Sequence, residues 1–336
     1  MSTLRVGVLG TGRIGAMHAE FLAHRLPGAA LAAVYDVDSP LAASVAAGLR
    51  VEAAASPEEL IGSPDVDAVA VCTSTDTHVE LVEAAAAAGK ATFCEKPISH
   101  DLDAVDRALA AVERAGVPFM VGFNRRFDPA HASVREAVAS GAVGDVHLVR
   151  ITSRDPAPPP LSYARVSGGI FLDMTIHDFD MARFVTGSEV VEVVAYGAVR
   201  IAPEFGEVGD VDTAVVTLVH EDGVLTTIDN SRKAVYGYDQ RVEAFGSGGA
   251  AASGNPPAHT GTLLIEAGAS GPPLPYFFLE RYTPSYLHEW EAFVAAVTSG
   301  GPSPVPGEAG RAALVVALAA TRSLHERKSV RVDEIG

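Results

Sequence analysis

Only two cysteines, Cys72 and Cys94, and a single tryptophan occur in 336 residues. Each cysteine stands inside an apolar run that reads as a buried strand, and neither falls in a CxxC or Cys/His spacing suited to a metal. They read as reduced packing residues, so a disulfide framework is excluded and no metal is expected. Basic charge is also scarce: 25 Lys and Arg face 42 Asp and Glu, for a formal net charge of -17. That balance repels a phosphate backbone, and no cluster of Lys and Arg stands apart from it, so no nucleic acid partner is expected. Long apolar runs are missing as well. The longest, Ala312 to Ala320, is far short of the roughly 18 to 20 residues that cross a bilayer. No basic segment with a following apolar stretch and cleavage site precedes the first strand, so no membrane association and a cytoplasmic location are expected. No internal repeat is visible.

What is present is apolar content of 48% over a length that accommodates two domains. In residues 1–121, short apolar runs at Leu4–Leu9, Leu31–Tyr35, Ala68–Cys72, Ala91–Cys94 and Phe119–Val121 alternate with alanine-rich helical patterns such as Ile14–His24 and His78–Ala88. Each crossover between parallel strands needs a helix, so this rhythm predicts an α/β domain with a parallel sheet. From residue 122 to 336 the pattern changes. A helix near Ala130–Ser140 leads into β-branched runs at Asp145–Ser153, Val190–Arg200, Val211–Val219, Val224–Arg232 and Gln240–Gly246. They predict a second, α+β domain with a large, mostly antiparallel sheet, and Gly223 after Asp222 supplies one hairpin turn. Val215, Thr217 and Val219 on one side and Ala214, Val216 and Leu218 on the other are both fairly apolar, so both faces should be covered, one of them by another subunit. Asp155 to Pro160 reads as a stiff pocket wall, and Ser247–Gly261 as a surface loop. Two helices, Tyr286–Thr298 and Glu308–Arg327, close the chain.

Gly10-Thr11-Gly12-Arg13-Ile14-Gly15 follows the first strand and opens the first helix. There, Gly10 and Gly12 permit a tight turn and close approach to a pyrophosphate, Gly15 permits close helix packing, and the amides of Arg13 and Ile14 face the phosphates. Asp36 ends the second strand about 20 residues further on, where a carboxylate receives the ribose hydroxyls and repels a 2′-phosphate. The expected cofactor is therefore NAD. Ser74, Thr75 and His78 follow the next strand and lie at the same sheet edge. Glu95-Lys96-Pro97 comes at the end of the fifth run, with Lys96 aimed at the nicotinamide to stabilise a developing alkoxide and Pro97 restricting its backbone. In Gly168-Gly169-Ile170-Phe171-Leu172-Asp173-Met174-Thr175-Ile176-His177-Asp178, Asp173 and His177 are four apart on one helix face, so a carboxylate can orient an imidazole acting as general base. Arg126, Asp155 and Tyr236 are candidates to hold ring hydroxyls.

These motifs, with Gly122-Phe123-Asn124-Arg125-Arg126-Phe127-Asp128 and Ser153-Arg154-Asp155-Pro156, carry a resemblance to the glucose-fructose oxidoreductase, inositol dehydrogenase and rhizopine-catabolism (Gfo/Idh/MocA) family over the whole chain. The resemblance implies a Rossmann domain with an open-sheet second domain, usually a homotetramer built through that sheet. It also implies Lys96, Asp173 and His177 as the catalytic trio, acting with NAD on the CH–OH group of a cyclic polyol or sugar, inositol foremost. In that scheme His177 takes the hydroxyl proton as hydride passes to the nicotinamide. A sister dehydrogenase for scyllo-inositol, a pyranose or an anhydrosugar, an NAD-dependent glycosidase, and an NAD-sensing regulator are the competing readings.

Overall fold

Six short strands, all but the exposed pair Glu52–Ala53 being apolar runs, assemble the first sheet in a computed structural model that describes residues 3–336. They are β1 (Leu4–Leu9), β2 (Ala29–Tyr35), β3 (Glu52–Ala53), β4 (Ala68–Val71), β5 (Ala91–Glu95) and β6 (Phe119–Gly122). Their order is β3-β2-β1-β4-β5-β6, all parallel. The reversal of order between β1 and β4 creates a switch point, and the carboxyl ends of the strands on either side of it carry the glycine turn and the Ser74–His78 segment. Helix Arg13–His24 leaves β1 and turns His18, Ala19, Phe21 and Leu22 inward.

The chain divides into two units: one holds the residues up to Phe123 together with Tyr286–Ala312, the other Asn124–Ser285 with Ala313–Gly336. A single boundary near 121 was expected, so the return of Tyr286–Ala312 to the first unit is a difference with a clear cause. Trp290 stacks on Phe93 of β5 with ring centroids 4.7 Å apart, and the amide of Val121 in β6 donates to the carbonyl of Val305 at 3.0 Å. The helix carrying Trp290 runs Phe278–Ser299, through Pro284, and so begins before the expected Tyr286.

Glu289, next to Trp290 in the first unit, is fully buried. Burial first, and then the charge of Glu95, push its carboxyl well above the ordinary value of 4.5. The folded chain therefore keeps a proton that the unfolded chain releases. Stability from this group is complete below about pH 4.5 and declines as pH rises toward the folded value, by up to about 1.4 kcal/mol per pH unit. A Glu289→Gln variant is expected to gain melting temperature relative to the parent between about pH 5 and pH 8, and parallel melting curves over that range would contradict the buried neutral acid.

The second unit is built on a seven-stranded sheet, β7 (Val146–Arg154), β8 (Val190–Ala198), β9 (Thr213–His220), β10 (Leu225–Ser231), β11 (Asp239–Gly246), β12 (Gly249–Ser253) and, after an isolated ribbon of β13 (Leu263–Ile265) and β14 (Gly268–Ser270), β15 (Val330–Arg331). Its order is β12-β11-β7-β10-β9-β8-β15, with β7 and β10 parallel and the other pairs antiparallel. One face carries Val149, Ile151, Ala214, Val216, Leu218, Ile228 and Val242, all buried. The other exposes Tyr196, Val215, Leu225 and Phe245, so only one of the two apolar faces is covered from within the chain. β12 occupies part of the segment read as a loop, because Gly249–Ser253 is rich in glycine and alanine and carries no β-branched signal. Among the described residues no helix is long and apolar enough to cross a membrane.

Candidate active site

In the first unit the glycine turn stands at the end of β1 as the spacing requires. Gly10 has φ +91°, and a Cβ there would lie 2.6 Å from the Cys72 carbonyl oxygen. A Cβ on Gly15 would sit 1.8 Å from the Gly10 oxygen, which makes glycine obligatory. At Gly12 a Cβ would meet nothing within 4 Å. The backbone therefore borders open space at the start of a helix whose N-cap, Gly12, contributes no side chain. An anionic group is accommodated by such a turn through amides and helix dipole. Asp36 lies beside it: one carboxylate oxygen accepts from the Thr11 amide at 2.5 Å and the Thr11 hydroxyl at 3.1 Å, and the other accepts from the Asp38 amide at 2.9 Å. Open space over Gly12, the helix start and the adjoining carboxylate fit a dinucleotide, which Gly10, Gly12, Arg13, Ile14, Gly15 and Asp36 would hold.

Ser74 precedes a 3-10 turn, Thr75–Thr77, that leads into helix His78–Ala87. His78 is buried, its Nδ1 lying 2.9 Å from the Pro97 carbonyl and its Nε2 3.1 Å from that of Thr73. Burial lowers its pKa, and a neutral ring, with one N–H, can donate to only one of these two carbonyls. The Lys96–Pro97 bond is cis.

In the second unit the Gly-Gly segment does not open a plain α-helix. Phe171–Thr175 forms a π turn, followed by α-helix Ile176–Thr186. Such a turn holds an extra residue, a feature that recurs at functional sites, and it alters the simple four-residue stacking expected for Asp173 and His177. Asp173 is held from two directions that sequence inspection missed. Tyr163 donates its hydroxyl to Oδ1 at 2.8 Å, and Arg232 donates to Oδ2 at 3.2 Å. The Arg232 guanidinium, almost wholly buried, also donates to Asp210 Oδ2 at 3.3 Å, while Asp210 Oδ1 receives the Ile170 amide at 2.9 Å. One arginine thus binds Asp173 and the entry to its helix together.

Asp155 belongs to the same electrostatic group. Its amide donates to Ser231 at 2.9 Å and its carbonyl accepts from Ala234 at 2.6 Å. Burial pushes its carboxyl up to about 6, Arg232 opposing and the Asp173 charge adding to the rise. Beneath lies a fully bonded polar cluster. Arg125 donates to Asp178 Oδ1 at 2.6 Å, Asn230 donates to Asp178 Oδ2 at 2.8 Å, and Thr175 donates to Asn230 Oδ1 at 2.8 Å. Two expected substrate contacts are committed elsewhere. Arg126 forks onto Asp180 at 2.8 and 2.6 Å. The Tyr236 hydroxyl donates to Asp239 at 2.7 Å and accepts from Arg154 at 2.9 Å.

Comparison with known proteins gives this geometry its context. Residues 4–123 match the model of an oxidoreductase family with an NAD-binding Rossmann fold, GFO_IDH_MocA, and residues 131–252 match the GFO/IDH/MocA C-terminal domain. The chain belongs to the Gfo/Idh/MocA oxidoreductase family. Within that family it is 53% identical to a myo-inositol 2-dehydrogenase of Thermotoga maritima over 99% of both chains. It is 46% identical to an inositol 2-dehydrogenase of Rhizobium meliloti, over 98% of this chain and 99% of the relative. A crystal structure of scyllo-inositol dehydrogenase from Lactobacillus casei, with bound NAD(H) and scyllo-inositol, superposes with a TM-score of 0.93 at 30% identity, covering 99% of this chain and 100% of the other.

Membership in the Gfo/Idh/MocA family accounts for the first sheet, the glycine turn and the large mixed sheet. Tyr163, Arg232 and Asp210 carried no local signal in the sequence. Tyr163 lies in a four-residue helix, Leu161–Ala164, directly after the proline run, so the run read as a pocket wall delivers a side chain to Asp173.

Proposed function

We propose that this chain oxidises a secondary hydroxyl of a cyclic polyol, myo-inositol to 2-keto-inositol, as an NAD-dependent dehydrogenase. The full-length likeness to inositol 2-dehydrogenases carries this reading. Bound NAD supplies the acceptor for the hydride that leaves the carbinol carbon. His177 takes the hydroxyl proton, and Asp173 orients the ring or shares that proton. Lys96 stabilises the charge that develops on oxygen as the O–H bond breaks. Tyr163 and Arg232 hold Asp173 in one orientation, so the carboxylate presents a fixed field to its neighbour. Asp155, whose carboxyl is pushed by burial up to about 6, is the expected substrate contact that remains beside Arg126 and Tyr236.

Purified protein, NAD and a panel of inositols, pyranoses and glycosides provide the test. NADH should form fastest with myo-inositol. Preference for scyllo-inositol, the substrate bound in the Lactobacillus casei enzyme, would move the assignment to the sister activity, and absence of NADH with every compound would overturn it.

The protein works in the cytoplasm as a homotetramer. Two unpaired cysteines and the exposed apolar side chains of the second sheet support those statements, since an open apolar face of this kind is normally covered by another copy. Light scattering should give four times the chain mass, and Val215→Glu with Tyr196→Glu should lower it. A monomeric parent would contradict the assembly.

A further inference from the structure

Beneath Lys96 lies a chain of buried side chains that the proposed reaction does not use. His18, on the helix after the glycine turn, and Trp290, on the helix that returns to the first unit, both have no solvent exposure. The Trp290 indole N–H donates to His18 Nδ1 at 2.8 Å. His18 Nε2 stands 2.9 Å from Glu95 Oε1. The Lys96 amide donates to Glu95 Oε2 at 3.2 Å.

The chemistry of the donors fixes the direction of this series. An indole nitrogen can only donate, so His18 Nδ1 must accept and the ring proton must sit on Nε2, pointing at Glu95. Glu95 then accepts with both oxygens, one from the imidazole and one from the backbone of the next residue. Gly122 leaves room for that carboxylate, since a Cβ there would come within 3.1 Å of Oε2. Trp290 is immobilised by stacking on Phe93 and by an edge contact with Phe293 at 5.5 Å. At the other side of Lys96, the buried His78 packs its Nδ1 2.9 Å from the Pro97 carbonyl. The peptide that carries Lys96 is thus gripped on both flanks, and on the amino side the grip traces back to two side chains outside the Glu-Lys-Pro motif.

We propose that His18, locked in its Nε2–H tautomer by Trp290, is a positioning residue that acts through Glu95 to set the direction of Lys96. The inference rests on the reading of Lys96 as the group that stabilises charge on the reacting oxygen. Misplacement of a catalytic group by about 1 Å costs on the order of 100-fold in rate, so the assembly matters to turnover more than to binding.

The experiment compares His18→Phe with His18→Gln in the full-length protein, with NAD and myo-inositol. Phenylalanine fills the ring volume but offers no donor to Glu95, whereas the glutamine amide reaches about where Nε2 stands. His18→Phe should lose turnover on the order of 100-fold, with the dissociation constant for NAD and the KM for the polyol held within about threefold. His18→Gln should recover most of that loss. In a Lys96→Ala background, His18→Phe should cause no further drop, because the effect passes through the lysine. Equal activity of the parent and His18→Phe, equal losses in both His18 variants, or an additive loss in the double variant would each overturn the proposal. Should His18→Phe fail to fold, Trp290→Phe, which keeps an aromatic ring facing Phe93 while removing the indole N–H together with the five-membered ring, gives the same reading by a milder loss of turnover, and parent-like turnover there would reject it. Near-normal activity of Lys96→Ala alone would reject the assignment of Lys96, which is a different result from an active His18→Phe beside an inactive Lys96→Ala.

Discussion

Lys96→Ala and His177→Ala variants are each expected to lose roughly 100- to 10,000-fold in turnover while keeping the folded structure and NAD affinity of the parent. The two losses have separate origins. In the proposed mechanism, charge growing on the substrate oxygen would lack a fixed cation without the ammonium, and the hydroxyl proton would lack its acceptor without the imidazole. The size of each effect follows from what such groups contribute when aimed at developing charge in a site from which water is excluded. Steady-state NADH production, with circular dichroism as the folding control, measures both. Near-parental turnover in either variant would remove that residue from the mechanism. Restoration of His177→Ala by added imidazole would identify the missing function as proton acceptance.

The second large effect concerns stability. Arg125→Met should destabilise the second unit by about 3 to 5 kcal/mol, because it leaves the carboxylate of Asp178 buried without its cation. Asp178 has no solvent exposure, and burial already pushes its carboxyl upward against the opposing pull of Arg125. Asn230 would remain as a donor but cannot neutralise a charge. Urea unfolding of the single variant against Arg125→Met with Asp178→Leu distinguishes the pair from its parts. The double variant should regain most of the loss, since removing both charges abolishes the desolvation problem that removing one creates. A single variant as stable as the parent would mean that Asp178 is held neutral by its other partners.

The legible parts of this molecule were those whose physics is local. The glycine turn, its helix and Asp36 lie within one β-α-β passage, and backbone sterics at Gly10 and Gly15 dictate the residue types. The Asp173 and His177 segment stood out by its spacing, but on the assumption of a plain α-helix that the π turn replaces. Less visible was how Asp173 is held, because Arg232 reaches it from 59 positions away and looks like any strand-end arginine in the sequence. The π turn at Phe171–Thr175 was hidden for a related reason: it is stabilised by tertiary bonds such as Thr175 to Asn230. Arg126 and Tyr236 were attractive as ligands for hydroxyls because they stand near the motifs, yet carboxylates at Asp180 and Asp239 engage them. Proximity in the chain gives no information about which polar groups already have partners. Strands β12 and β14 escaped notice because glycine and alanine leave no period-2 pattern to detect, and β13, Leu263–Ile265, is only three residues long and apolar throughout.

Because Tyr286–Ala312 completes the first unit, the intervening stretch from Asn124 to Ser285 is, topologically, an insertion into the nucleotide-binding domain. A gene fragment stopping at residue 123 would therefore yield an unfinished body, its Phe93 surface stripped of Trp290 and its β6 amide at Val121 deprived of Val305. An autonomous cofactor-binding module would instead have to splice residue 123 to residue 286 with a short artificial linker, and only that spliced form should express as a cooperatively melting protein.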